Sequence, residues 1–379
     1  MSLRKLKAWE DAGLLDAATA ARIRDWEAGH ARPLGLRAVI AVAVLAIGLG
    51  LVSVVAANWD AIPGLVRLAV HFALIAGCAV ALQRRDHDAL LFVLGMLGLT
   101  FFGHLGQVYQ TSSPLHVPLG LWLLLFAPLL LARGRGHLVS LLLFVTLAGF
   151  GWSYGLSFLS LADRSPSGDP TPMAARVSLA FAMPVLVAGL AAVALGRSRR
   201  TDLWRSLDHL ALAYATALVS AAAVACAFIE GPSNREGELA AAVTVALTLL
   251  AAAALVRMFA RDSLGRLEAR VFAGLSAVPV LAWLLSGHQT MAALLFMGLW
   301  AGLAAAALRA GWRATFQQAV ALIALRLVVL SFELASDLLT SGAGLILAGL
   351  LVLVVAWCAL RIANRFAPAR PELPGDRRA

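Results

Sequence analysis

The chain has 379 residues, of which 61% are hydrophobic and 14% are charged, and its mean hydropathy is +0.84. Soluble domains carry about a quarter charged residues, so the composition excludes an ordinary soluble protein and indicates a membrane protein. A net charge of +10 would favour a nucleic-acid partner in a soluble chain, whereas in a membrane protein basic residues mark the loops of one side.

Residues 1–36 are predicted to form a cytoplasmic helical hairpin. Leu3, Leu6 and Trp9 fall on one helix face, Gly13 breaks the pattern, and Asp16 is placed to cap a second helix. We expect this amphipathic pair to lie on the membrane surface or on the protein's own inner loops. In the alternative interpretation, residues 1–30 dock a cytoplasmic partner.

Residues 37–363 are predicted to form an all-α bundle of about twelve transmembrane helices, because apolar runs of about 20 residues recur along this region. The predicted spans are 37–57, 64–82, 89–108, 116–132, 138–160, 176–196, 208–229, 239–259, 270–286, 290–308, 315–333 and 342–362. A basic loop near 197–208 divides them six and six, as in transporters built from two halves. Residues 364–379 are predicted to be a disordered cytoplasmic tail.

The distribution of basic residues predicts the orientation. With a cytoplasmic N-terminus, 26 lysines and arginines fall on the inner side and four on the outer side, while Arg326 falls within a span. This is the positive-inside pattern. We therefore expect a bacterial inner-membrane protein in the lipid bilayer, with both termini in the cytoplasm and no nucleic-acid partner.

Arg326 lies near the middle of the predicted span 315–333. A charge in hydrocarbon costs from about 3 to more than 10 kcal/mol, so it needs a partner or a cavity. No residue three or four positions away on the same helix can pair with it, but Glu333 lies two turns outward and Asp337 a turn beyond. We expect the guanidinium either to reach toward Glu333 or to find acceptors on another helix.

Other polar side chains collect toward the outer ends of the spans and predict an outward-open polar cavity with Arg326 at its floor. The predicted roles are anion binding by Arg326 and Arg67, hydrogen bonding by His71, His104, Gln107 and Tyr109, and proton exchange or ion pairing by Glu333, Asp337 and Asp60. The alternative is structural: an ion pair that locks helices together, and histidines that hydrogen-bond between helices.

The sequence contains no recognisable catalytic or metal-binding motif. It has no Walker-type phosphate loop, no H-E-x-x-H and no G-x-S-x-G. Cys78, Cys226 and Cys358 lie in separate apolar runs without metal-ligand spacing. We therefore expect no cofactor and no enzymatic activity.

Three stretches carry a resemblance to a known family: AANWDAIPGLVRLAV at 56–70, GHLGQVYQ at 103–110 and LW at 121–122. In these the chain resembles a family of bacterial multi-pass proteins defined as a predicted membrane domain of unknown function, which begins with a short helical cytoplasmic segment. The resemblance covers mainly residues 1–135 and more loosely 315–362. It implies membrane localisation and a multi-pass topology, and it supplies no activity.

Three functional hypotheses follow. The leading one is binding, and transport or flipping, of an anionic or amphipathic small molecule or lipid through the outward-facing cavity. The second is a membrane assembly factor or sensor that docks partners through the N-terminal hairpin. The third is an enzyme at the outer leaflet with His104 or Asp60 as acid or base. The sequence leaves all three open.

Overall fold

The computed structural model of the chain describes residues 15–16, 18–23, 62–110, 112–162, 170–197, 200–225, 235–260, 262–334 and 342–366. Several predictions fall outside these ranges: the span 37–57, Asp60, Asp337, most of the hairpin and the tail beyond residue 366. The domain division, including the two halves, stays a prediction.

The described residues form α-helices and, within those ranges, no β-strand. The helices are α1 (Gly64–Arg84), α2 (Asp88–Val108), α3 (His116–Arg133), α4 (His137–Ala162), α5 (Pro170–Ala182), α6 (Val187–Leu195), α7 (Thr201–Ala225), α8 (Arg235–Phe259), α9 (Ser263–Leu284), α10 (Gln289–Ala310), α11 (Arg313–Leu334) and α12 (Gly342–Phe366). A 3₁₀ turn, Met183–Leu186, joins α5 to α6 at Pro184, which has no N–H to continue the α-helical ladder.

Ten of the described segments are long and apolar enough to cross a membrane, with α5 and α6 forming one segment between them. The helix α12 adds a shorter apolar stretch, Val352–Ile362. Because every backbone polar group of a helix is satisfied within it, such segments suit hydrocarbon. The predicted all-α polytopic bundle is thus confirmed.

The helices α7 and α9 each begin about two turns earlier than the hydropathy pattern predicts. The helix α7 begins at Thr201 rather than 208, and α9 begins at Ser263 rather than 270. The charged residues in these two segments favoured a loop, but apolar residues recur among them at helical spacing and are buried, as Leu203 and Leu207 are. Asp208 and Glu268 therefore lie inside helices.

Residues 1–67 and 68–379 form two compact units. In the first unit residues 18–23 are helical. The backbone N–H of Thr19 donates to Asp16 Oδ2 at 3.4 Å, and that of Ala20 donates to the Asp16 carbonyl at 2.9 Å. Asp16 therefore caps this turn as the sequence predicts, and its side-chain hydrogen bond with Thr19 lowers the pKa of the carboxyl group.

The second unit is built around α7, which contacts α4, α6, α9 and α10. One face of α7 forms the centre of the hydrophobic core, and its residues Leu203, Ala211, Ala215 and Val219 are fully buried. The small alanines allow neighbouring helices to approach closely. Because α7 is central, a polar residue on its buried face is held away from lipid.

Gly95 provides a close contact between α2, α3 and α4. The indole of Trp122, itself fully buried, donates a hydrogen bond from Nε1 to the Gly95 carbonyl at 2.8 Å. A Cβ atom at Gly95 would lie 2.6 Å from Leu142 Cδ2, which is closer than packed atoms tolerate. A larger residue here would therefore require the buried Leu142 side chain to shift.

Candidate functional site

The described loop residues that follow alternate spans lie at one end of the second unit, which we call the basic end: 85–87, 134–136, 196–197, 200, 260, 262 and 311–312. Arg135 Nη2 pairs with Asp86 Oδ2 at 2.9 Å, and Arg200 Nη1 donates to the Leu131 carbonyl at 2.7 Å. These contacts join the ends of α1, α3 and α6. The loops predicted to be cytoplasmic thus share one end of the bundle.

Arg326, the residue expected to line an outward-open cavity, pairs with a carboxylate on its own helix. Its Nη1 donates to Glu333 Oε1 at 2.8 Å, and the two side chains are only 10% and 23% exposed. The structure therefore shows the first of the two arrangements expected from the sequence. The pair is incompletely bonded, because the buried atoms Arg326 Nε and Glu333 Oε2 have no hydrogen-bond partner among the described residues.

The predicted histidines connect α1 to α2. His71 Nε2 lies 2.8 Å from the Leu97 carbonyl and 3.2 Å from Thr100 Oγ1. The rings of His71 and His104 meet edge to face with centroids 4.8 Å apart, and His104 Nδ1 lies 3.0 Å from the Thr100 carbonyl. This is the geometry expected of interhelical hydrogen bonding.

The other predicted site residues are not brought to a shared pocket in the described part of the chain. Arg67 Nε donates to the Ile62 carbonyl at 2.8 Å, while Gln107 and Tyr109 are exposed. Four cavities lie within the described part of the chain. None of them is lined by the predicted site residues of α2 or α11. Their ligand-binding role stays a prediction.

A cavity of about 530 Å³ opens at the basic end, and we call it the carboxyl cavity. Its lining residues come from α6, α7, α8, α9 and the adjoining loops. The polar and aromatic members are Thr201, Arg205, Asp208, His209, Phe259, Asp262, Glu268 and Trp312. One of the three carboxyl groups, that of Asp262, is committed to capping α9, because it accepts a hydrogen bond from Gly265 N at 3.0 Å.

The other two carboxyl groups belong to Asp208 on α7 and Glu268 on α9, two helices that pack against each other. Asp208 is 7% exposed and Glu268 is 6% exposed, and both line this cavity. Asp208 Oδ1 and Glu268 Oε1 are buried without a hydrogen-bond donor among the described residues. Since buried polar atoms are normally satisfied, these two oxygens mark a site with unused bonding capacity.

A second cavity of about 480 Å³ shares a wall with the carboxyl cavity. Both are lined by His209 and Trp312, whose rings lie 6.0 Å apart in an edge-to-face arrangement. The second cavity extends between α7, α10 and α11 toward Thr216, Trp300 and Gln318. Together the two form a recess that leads from the basic end into the helices.

The remaining two cavities are less suited to a specific ligand. One of about 400 Å³ lies between α4 and α5, near the opposite end, and is mostly apolar apart from Tyr154 and Arg176. The other, of about 220 Å³, is the shallow space around the Asp86 and Arg135 ion pair. Apolar clefts between helices are expected wherever a bundle faces lipid.

Sequence reasoning missed this pair because it placed Asp208 at the first residue of one predicted span and Glu268 in the polar segment just before another. A usable signal was present: Leu203, Leu207, Ala211 and Ala215 recur at helical spacing, and that spacing puts Asp208 beside the same face. Within the described ranges, no three histidine, cysteine, aspartate or glutamate residues are placed to hold a metal ion. The site is therefore one of carboxyl, imidazole, guanidinium and indole groups.

Comparison with known proteins relates the N-terminal part of the chain to a protein family. Neither the curated proteins nor the solved structures include a match. Residues 7–139 match the sequence model of the family described as "Predicted membrane protein (DUF2157)", and this segment contains the stretches at 56–70 and 103–110. The carboxyl cavity lies outside it. The looser resemblance over 315–362 lies outside the match and stays a prediction. The match confirms the resemblance over its own segment, and the chain, through residues 7–139, is similar to the DUF2157 predicted membrane proteins, a domain family of unknown function.

Proposed function

We propose that the protein binds an amphipathic small molecule in the carboxyl cavity and its neighbour and moves that molecule across the membrane. The observation that carries this proposal is the recess at the basic end, where buried charged groups and aromatic rings line adjoining cavities of about 530 and 480 Å³. Binding sites for small molecules are concave, partly apolar and supplied with a few polar groups. The proposal is one of binding and transport rather than of catalysis.

The composition of the lining favours a ligand that carries a positive charge. The carboxyl cavity contains Asp208, Asp262 and Glu268 against one guanidinium, that of Arg205. Trp312 and Phe259 add aromatic faces, and a cation over such a face is stabilised by about 0.5–2 kcal/mol. This lining differs from the anion site predicted from Arg326 and Arg67.

The anion site remains a second candidate because of one observation. Arg326 Nε and Glu333 Oε2 are buried and unpartnered among the described residues, so the pair retains a donor and an acceptor for another group. A bound anion would have to compete with Glu333, which already holds Nη1 at 2.8 Å. This competition makes the carboxyl cavity the better-supported site.

We further propose that the basic end faces the cytoplasm and that the protein resides in a bacterial inner membrane. The support is electrostatic, since loops rich in Lys and Arg are retained on the cytoplasmic side during insertion. In this orientation the recess opens inward, toward cytoplasmic solutes. A single cysteine introduced at Arg135 should react in intact cells only with a membrane-permeant thiol reagent. Reaction with an impermeant reagent would reverse the orientation.

Ligand binding is tested with two dyes of similar size and opposite charge, ethidium and fluorescein. The purified full-length protein is titrated into each dye, and fluorescence polarisation reports binding. The expected result is saturable binding of ethidium and at least tenfold weaker binding of fluorescein. Equal binding of the two dyes, or binding of neither, would overturn the proposal.

Two tryptophan variants locate the binding. Trp312→Leu removes the aromatic wall that both cavities share, whereas Trp357→Leu changes an indole that is 58% exposed on α12. Ethidium affinity should fall about tenfold in the first variant, which corresponds to about 1.4 kcal/mol, and stay unchanged in the second. Transport is then measured in proteoliposomes that contain DNA, because ethidium that enters them binds the DNA and becomes brightly fluorescent. Liposomes without protein provide the baseline.

A further inference from the structure

We propose that Asp208 and Glu268 form a proton-binding site, in which the two carboxyl groups hold one exchangeable proton between them. The inference concerns the pair itself and does not depend on which ligand the cavity takes. It is carried by the burial of the two side chains, their position on the same cavity, the lack of an ion pair with either of them among the described residues, and the opening of the site to the basic end.

Burial and proximity together favour a proton on the pair. The two residues are 7% and 6% exposed, and both line the carboxyl cavity from helices that pack against each other. Burial disfavours the ionised form of a carboxyl group, and two ionised carboxylates that share one site repel each other strongly. One proton removes this repulsion and lets one carboxyl group donate a hydrogen bond to the other.

No ion pair within the described part of the chain takes the place of that proton. Among the described residues, no arginine forms an ion pair with Asp208 or Glu268, and Asp208 Oδ1 and Glu268 Oε1 accept no hydrogen bond. The titratable and charged groups that line the same cavity are Arg205, His209 and Asp262. The Asp262 carboxylate adds negative charge near the pair, which favours retention of the proton.

The cavity provides a route for exchange with solvent. Asp208 lies seven residues into α7 and Glu268 five residues into α9, which correspond to depths of about 10 Å and 8 Å along helices that begin at the basic end. Both residues line the carboxyl cavity, which is partly open at that end. A proton can therefore reach the pair from bulk solvent and return to it, and no other bond is made or broken.

Infrared spectroscopy of the full-length protein in lipid nanodiscs tests the site. The spectrum of Asp208→Asn/Glu268→Gln, whose amides keep a hydrogen bond without a titrating proton, is subtracted from that of the wild type at neutral pH. The difference should contain one protonated-carboxyl band and one carboxylate band of equal stoichiometry. The protonated band should shift in D₂O, because the proton exchanges through the cavity.

The control is Asp202→Asn, which changes an exposed carboxylate in the first turn of the same helix; its difference spectrum should show only a carboxylate band. Two carboxylate bands for the pair, or two protonated bands, would overturn the shared proton. A spectrum that changes when potassium is replaced by sodium would show a metal cation in its place. If the double variant does not fold, the protonated-carboxyl band is measured in the wild type at neutral pH, where exposed acids are ionised and contribute no such band. Absence of the band would refute the inference.

Discussion

Removing either partner of the Arg326 and Glu333 ion pair should destabilise the protein by different amounts. The guanidinium side chain is 10% exposed and the carboxylate side chain 23% exposed. Glu333→Gln leaves the more buried charge without its partner, and we expect a loss of about 3 kcal/mol. Arg326→Gln leaves the Glu333 carboxylate without its partner. Because this carboxylate is the more exposed of the two groups, we expect a smaller loss, of about 1.5 kcal/mol.

The double variant decides how strongly the two groups are coupled. In Arg326→Gln/Glu333→Gln no buried charge remains, and we expect a loss of about 2 kcal/mol, which gives a coupling free energy of about 2.5 kcal/mol. The assay is equilibrium unfolding of the purified protein in mixed micelles by titration with SDS, followed by circular dichroism. The control is Ser331→Ala, two positions before Glu333, which removes a hydroxyl that donates to the Leu327 carbonyl of the same helix at 2.7 Å and changes no charge.

Additive single variants, or equal losses from the two, would refute the reasoning. Additivity would mean that the 2.8 Å contact contributes nothing beyond its two separate side chains. If instead Arg326→Gln abolished ligand binding while unfolding stayed unchanged, Arg326 would be a ligand-binding residue, and the anion site would replace the carboxyl cavity as the leading candidate.

Four further variants test the packing and the location of the site. Gly95→Ala should destabilise the bundle by about 1–3 kcal/mol, because its Cβ would lie 2.6 Å from Leu142 Cδ2; Gly103→Ala, with nothing within 4 Å, should be neutral or slightly stabilising in the same unfolding assay. Trp122→Phe should cost about 1–3 kcal/mol, because it leaves the buried Gly95 carbonyl without its indole donor. Deleting residues 1–30 should leave ethidium binding unchanged by fluorescence polarisation, because the residues that line the carboxyl cavity all fall in 192–312; loss of binding would contradict that assignment.

The fold could be predicted because its signals are local. A run of about 20 apolar residues specifies a spanning helix with little reference to the rest of the chain, and so the predicted spans 89–108 and 116–132 correspond closely to α2 and α3. The contact of Arg326 with Glu333 could be predicted for the same reason, because both residues lie on one helix at a known spacing.

The carboxyl pair could not be predicted in the same way, because it depends on two helices that are distant in sequence. Hydropathy alone treats Asp208 and Glu268 as polar residues at the edge of a span, where charge is ordinary. Their burial follows from the packing of α7 against α9, which no local pattern specifies. Helical spacing indicates that Asp208 borders a buried face, but only the fold shows which residue lies opposite.

A cryo-EM map of the full-length protein in nanodiscs, recorded with and without ethidium, tests the central claim most directly. The account predicts added density in the recess at the basic end, against Trp312 and within reach of Asp208 and Glu268. Added density beside Arg326, with the recess unchanged, would contradict it.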